Sequence, residues 1–377
     1  MKNTIKMSLV AAVAVAGLSS NASAKSLEEA IKGTDISGSI SYTMEKLGKS
    51  TEEAQHDIDI RATLKSTIND NITSTIRFDE NNDDDQDDKA KSGVDANGDS
   101  YSTDEDKASS QGSSSVNIEI DRAFFTYKNA DLTSNFGLIG APLTDGGQGD
   151  GINVSKSFDN VTAVGGYMYN TGAKNTQDVA FLGAVGSAGT VGYNLTYASL
   201  MESDADAALK SASFIHANLN AKVAMATINF DYSTAAYDDA AIKDQSQMKL
   251  SANVPLGAVT LDVAYAVNGS DGGSTMIDQS AWAKSNIDIG DNDTLDLSDA
   301  TDASAMYIAA STKIGSGTAT LAYAAISSDT ATDTEDKTIH ANYTMAMSSN
   351  FKVFANYESY DLNDKESEIT LGAKYSF

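Results

Sequence analysis

The chain contains no cysteine, two prolines, three arginines and one tryptophan in 377 residues. Without thiols there is no disulfide framework and no thiolate metal site, and an exported chain of this kind has nothing to mispair in an oxidising compartment. Basic residues are also scarce: 26 Lys and Arg against 53 Asp and Glu leave a formal net charge of −27. That balance excludes nucleic acid as a partner, because phosphates need a basic surface. Beyond the N-terminal segment there is no apolar run long enough for a transmembrane helix. If the chain enters a membrane it must do so as a closed β-barrel, the other structure that satisfies every backbone amide inside lipid. His56, His216 and His340 stand far apart in sequence with no serine-nucleophile motif beside them, so no enzyme is expected.

What is present begins with an address. Lys2 and Lys6 precede an apolar stretch over 7–18, followed by Ala22-Ser23-Ala24. This is the pattern of a secretory signal peptide, so residues 1–24 are expected to be removed, leaving 25–377 as one β-barrel domain.

The rest of the chain repeats a period of two. In the closing segment Ile369, Leu371, Ala373, Tyr375 and Phe377 alternate with Glu368, Thr370, Gly372, Lys374 and Ser376. Successive side chains of a strand point to opposite faces, so this segment has one greasy face and one polar face. Near the start, Ile36, Gly38, Ile40, Tyr42 and Met44 alternate with Ser37, Ser39, Ser41, Thr43 and Glu45 in the same way. Eighteen such segments are predicted, near 35–45, 56–67, 72–79, 115–128, 132–141, 152–158, 161–169, 178–187, 191–200, 211–219, 223–233, 246–254, 258–267, 304–313, 318–328, 337–346, 351–360 and 367–377. Sixteen is the alternative count if two short ones are merged. The connections between them alternate between tight turns and longer loops. A soluble sandwich has no reason to do this, whereas an outer-membrane barrel with short periplasmic turns and long extracellular loops requires it. The fold class is therefore an all-β transmembrane antiparallel barrel, placed in the outer membrane of a Gram-negative bacterium with lipid and lipopolysaccharide as its neighbours.

Two loops and three residues add detail. The stretch 79–107 carries twelve acids against three lysines and reads as a solvated loop. Asp95, Asn97, Asp99 and Asp106 match positions 1, 3, 5 and 12 of an EF-hand loop, but Ser100 replaces the glycine at position 6. No dedicated metal site or cofactor is expected, only loosely bound Ca2+ or Mg2+ bridging to lipopolysaccharide phosphates. The arginines Arg61, Arg77 and Arg122 fall on strands two, three and four. Arg61 and Arg77 take polar-face phases, and Arg122 lies where the alternation slips as a β-bulge would make it. Together they form a basic stripe on one wall, with Asp57, Asp59, Asp79 and Glu119 as available partners. The glycine-rich loop 141–151 carries Asp145 and Asp150. Folded inward, those carboxylates would face the arginines across the narrowest point and set a transverse field.

With these parts in place, the sequence resembles the Campylobacter-type major outer membrane porins. The resemblance is carried by 26–45 (SLEEAIKGTDISGSISYTME), 122–129 (RAFFTYKN) running into 136–140, 142–151 (PLTDGGQGDG) and the terminal Phe377. It implies an 18-stranded barrel, a homotrimer, a constriction loop after strand five, and diffusion of small hydrophilic solutes and ions with a cation preference. Arg61 and Arg122 match basic positions of the family's pore wall. The shorter constriction-loop region and the acidic loop 79–107 depart from the family pattern. The competing reading is an acidic, calcium-dependent surface adhesin or structural protein without transport, which liposome swelling would distinguish.

Overall fold

The computed structural model describes residues 33–47, 54–80, 93–94, 100–101, 118–140, 148–171, 177–202, 210–272, 301–327, 336–359 and 367–377. Eighteen antiparallel strands form one sheet: β1 (Thr34–Leu47), β2 (Gln55–Asn69), β3 (Ile72–Glu80), β4 (Ile118–Asn129), β5 (Leu132–Gly140), β6 (Gln148–Phe158), β7 (Val161–Thr171), β8 (Gln177–Ala188), β9 (Val191–Leu200), β10 (Ala212–Val223), β11 (Ala226–Tyr237), β12 (Gln245–Leu256), β13 (Val259–Asn268), β14 (Ser304–Ile314), β15 (Gly317–Ser327), β16 (Asp336–Ala346), β17 (Phe351–Ser359) and β18 (Glu368–Ser376). A two-residue ladder, Gly93–Val94 against Ser100–Tyr101, lies apart from this sheet.

Each strand pairs with its neighbour in sequence, and β1 pairs with β18 from Ser39↔Ser376 to Leu47↔Glu368. The sheet is therefore closed and no barrel strand has a free edge. Eighteen strands are observed, so the alternative of sixteen falls away. The connections alternate without exception. The longest at one end, 347–350, is shorter than the shortest at the other, 172–176.

Two-residue turns dominate the short end. In six of them the first residue has positive φ: Ala130, Asp159, Gly189, Ala224, Gly257 and Gly315. A positive φ at that position matches the twist of the flanking strands. One expected boundary moves: the turn foreseen at 220–222 lies at Ala224-Met225, because pairing runs on to Val223↔Ala226. Asn218 and Asn220 look like turn residues but are strand residues, and Asn218 donates from Nδ2 to Asp231 Oδ1 at 2.6 Å across the ladder.

The outward face is apolar and uncovered. Leu182 is 62% exposed, Leu321 60% and Ile369 52%, on strands whose alternate residues face the interior. Such exposure of large side chains around a whole cylinder suits hydrocarbon as solvent. Aromatics mark its two ends. Tyr375 and Phe377 stack at 6.0 Å at the short-turn end, while at the long-loop end Tyr42 donates to or accepts from His56 Nδ1 at 2.6 Å. His56 shares the outward phase of Ile58 and pairs with Met44, so it belongs to this girdle.

The inward face differs from the uniformly polar lumen that alternation suggested. Each of the thirteen strands β5 to β17 has buried residues, and, Gly317 aside, all are inward-facing and lie in the middle or long-loop half of their strands. They include an apolar arc of Ile139, Met168, Phe181, Leu200 and Phe214, and an alanine-rich patch around Tyr307 on β13–β15. Among the described residues of β1–β4 and β18, none is buried. Water-accessible inner wall at this level is thus confined to one sector.

Candidate lumen wall

That sector carries the three arginines. Arg61 lies inward on β2, opposite Ser39 of β1 and Asp79 of β3. Its Nε donates to Asp79 Oδ2 at 2.9 Å and its Nη2 to the same oxygen at 2.6 Å. Arg77 lies directly opposite Arg122 in the β3–β4 ladder. Two like charges facing each other across a ladder repel. The bulge relieves this. Register slips between Arg77 and Phe78, which inserts Asp121 as an extra residue on β4 and turns its carboxylate to the Arg77 guanidinium. Arg77 Nε donates to Asp121 Oδ1 at 2.9 Å and to Oδ2 at 2.7 Å, and Nη2 also donates to Oδ2.

The phase slip was visible in the sequence, but Asp121 was not among the expected partners, which were Asp57, Asp59, Asp79 and Glu119. An inserted residue has no place in a strict alternation, so no periodicity could assign it to the inner face.

Arg122 is held differently. Its Nη1 donates to the Asp121 carbonyl oxygen at 3.2 Å, and its charged neighbours are Arg77, Asp121, Arg61 and Asp79. Two arginines of the stripe are thus matched by carboxylates and the third rests against backbone.

The glycine-rich segment after β5 is placed in part. Asp145 lies outside the described residues, as do the signal segment, most of the acidic loop 79–107 and most of 268–303 with Trp282. Asp150 was expected on an inward loop facing the arginines, and this is corrected. It belongs to β6, paired with Leu138 and Tyr169, and takes the phase of the outward-facing Ile152 and Val154. Gly151 reflects close backbone approach and not a loop: a Cβ there would sit 2.8 Å from Met168 Cα.

Opposite the arginine wall, nine strands around the ring, the inner face of β10–β13 holds a polar set of which only His216 was named from the sequence. Lys249 faces Asp231 in the β11–β12 ladder, and His216 Nε2 lies 3.7 Å from Asp231 Oδ1. Gln247 Nε2 donates to Asn268 Oδ1 at 2.9 Å. Lys249 is 4% exposed and His216 3%, so this set stiffens the wall and does not face open water. Lower down, Thr126, Asn135 and Asn153 form a polar ladder over β4–β6, with bonds of 2.6 and 2.8 Å. Among the described residues no group of His, Asp or Glu is placed to hold a metal ion.

A model of the Campylobacter major outer membrane protein family matches residues 1–377. The chain belongs to the Campylobacter major outer membrane protein family. It is an outer-membrane β-barrel protein, and its family and fold are those of channel proteins. None of the curated proteins compared with it matches. Among solved structures it is similar to Pseudomonas aeruginosa OpdK, determined with vanillate, at 12% identity and a TM-score of 0.62, covering 91% of this chain and 98% of that one. Acinetobacter baumannii OccAB4 gives 11% identity and a TM-score of 0.61, covering 91% and 97%. Pseudomonas aeruginosa OccK5 (OpdH) gives 9% and 0.62, covering 92% and 98%. At such identities the likeness is one of fold, an 18-stranded barrel closed on itself.

Proposed function

We propose that this protein is a general diffusion porin whose water path, in the long-loop half of the barrel, runs along β18 and β1–β4. The observation that carries this reading is the distribution of burial. Each of β5–β17 has buried inward residues there, while among the described residues of β1–β4 and β18 none is buried, and the Arg61 side chain is 50% exposed. Solutes would pass against a wall of matched charges, Arg61 with Asp79 and Arg77 with Asp121, which favours small hydrophilic molecules over apolar ones. A cation preference accords with the net charge of −27 and with the neutralisation of two of the three arginines. The loop after β5, with Asp145, belongs to the proposal as the element that narrows the path, without Asp150.

Removal of residues 1–24 on export, assembly as a homotrimer, and loose Ca2+ or Mg2+ at the acidic loop are part of the same proposal. Liposome swelling tests it. Vesicles containing the folded protein should swell in arabinose and glucose at rates that fall with solute size. No swelling above empty vesicles would favour a non-transporting surface protein.

A further inference from the structure

Among the described residues no carboxylate clamps Arg122, unlike Arg61 and Arg77, so something else must keep its guanidinium against the sheet. The backbone of Gly140, the last residue of β5, does this. A Cβ built at Gly140 would lie 2.8 Å from Arg122 Nη2, 2.9 Å from Cζ and 3.1 Å from Nε, and these three atoms are its nearest neighbours. The planar head group is packed onto the bare face of the glycine. Arg77 stands opposite Arg122 in the ladder and repels it, and the Nη1 hydrogen bond to the Asp121 carbonyl is a 3.2 Å contact.

We infer that Gly140 is a selectivity-determining position of the channel: having no side chain, it seats the Arg122 guanidinium against β5, and any side chain there displaces that charge from its seat. The inference rests on the channel reading above. Two features make displacement the expected outcome rather than misfolding. The atoms a new Cβ would strike are the far end of a long side chain with several rotatable bonds, which yields more readily than backbone. The φ of Gly140 is not in the left-handed region, so an L-residue fits its backbone. Arg61 and Arg77 would stay in place, because their guanidinium groups are held by Asp79 and Asp121.

The consequence is a cationic group moved from its place on the wall, which alters the field that passing ions meet. Arg122 is positioned by Gly140, so the effect of substituting the glycine must pass through the arginine. That dependence separates this proposal from a general disturbance of the wall.

The experiment compares wild type, Gly140→Ala, Gly140→Val, Arg122→Gln and the double variant Gly140→Val/Arg122→Gln. Each is purified as folded, heat-modifiable protein and measured in planar bilayers under a KCl gradient. Gly140→Ala and Gly140→Val should change the cation-over-anion permeability ratio about twofold, the larger effect with Val. In the Arg122→Gln background Gly140→Val should leave the ratio unchanged. The inference is overturned if Gly140→Val matches wild type, or if it shifts the ratio equally with and without Arg122. Absence of conductance in the folded wild type removes the porin reading itself, a separate result.

Discussion

Gly38 and Phe377 exchange both backbone hydrogen bonds across the seam of the barrel, Gly38 N to Phe377 O at 2.9 Å and Phe377 N to Gly38 O at 3.1 Å. The Phe377 ring lies over the glycine, so that a Cβ at position 38 would come within 2.9 Å of the ring Cζ. Ring closure is what distinguishes this sheet from an open one, and this pair fastens its end. Gly38→Val should therefore destabilise the folded barrel by about 1–3 kcal/mol through overpacking. The readout is the temperature at which the folded form converts to the slower-migrating unfolded form in electrophoresis. An unchanged conversion temperature would contradict the closure geometry.

The two faces of a strand predict opposite tolerance to charge. Leu182 lies mid-strand on the outer face of β8, whereas Ser155 lies on the inner face of β6. Leu182→Arg should cost about 2–4 kcal/mol where lipid is the solvent, while Ser155→Arg should fold almost as wild type. Urea-dependent folding into detergent micelles or liposomes measures both. Equal cost at the two positions would mean that inside and outside have been misassigned.

Matched charges on the lumen wall make signed predictions. Arg61→Ala leaves the Asp79 carboxylate unmatched and should raise cation selectivity; Asp79→Asn frees the guanidinium and should lower it. The double variant should return towards wild type, with the pair coupled and not additive. Replacing Arg61, Arg77 and Arg122 together by Ser should enlarge conductance. Reversal potentials in a salt gradient provide the test, and independent, additive shifts would show that the pair does not act as a unit.

At the long-loop end Lys243 Nζ donates to Asp271 Oδ1 at 2.5 Å, tying the loop before β12 to the one after β13. The hydrogen bond to Lys243 holds the Asp271 carboxyl below its ordinary range. A lowered carboxyl pKa means that the contact is fully present above the ordinary carboxylate range and is lost as pH falls through the lowered value. Amide hydrogen exchange at 238–244 should accelerate over that acidic window in wild type. In Asp271→Asn it should be fast and insensitive to pH there.

Much of this architecture was legible because alternation is a local signal, and each strand carries it independently. Eighteen segments and the parity of their connections could be read from Ile36 to Phe377. Three features could not. Asp121 sits in a bulge, which breaks the alternation that would assign it a face. Asp150 lies among glycines that read as a loop, whereas Gly149 and Gly151 stand in β6, and at Gly151 neighbouring backbone and Met168 leave no room for a side chain. The burial of inward residues such as Phe181, Phe214 and Lys249 depends on what lies across the lumen, and no pattern along one strand reports that.

The account stands on one closed cylinder with water inside. Single-channel current through the purified, folded protein in a planar lipid bilayer tests it most directly. Stepwise insertions with conductance proportional to bulk KCl conductivity are the predicted result; a folded, heat-modifiable barrel that inserts into the bilayer and leaves it insulating would contradict it.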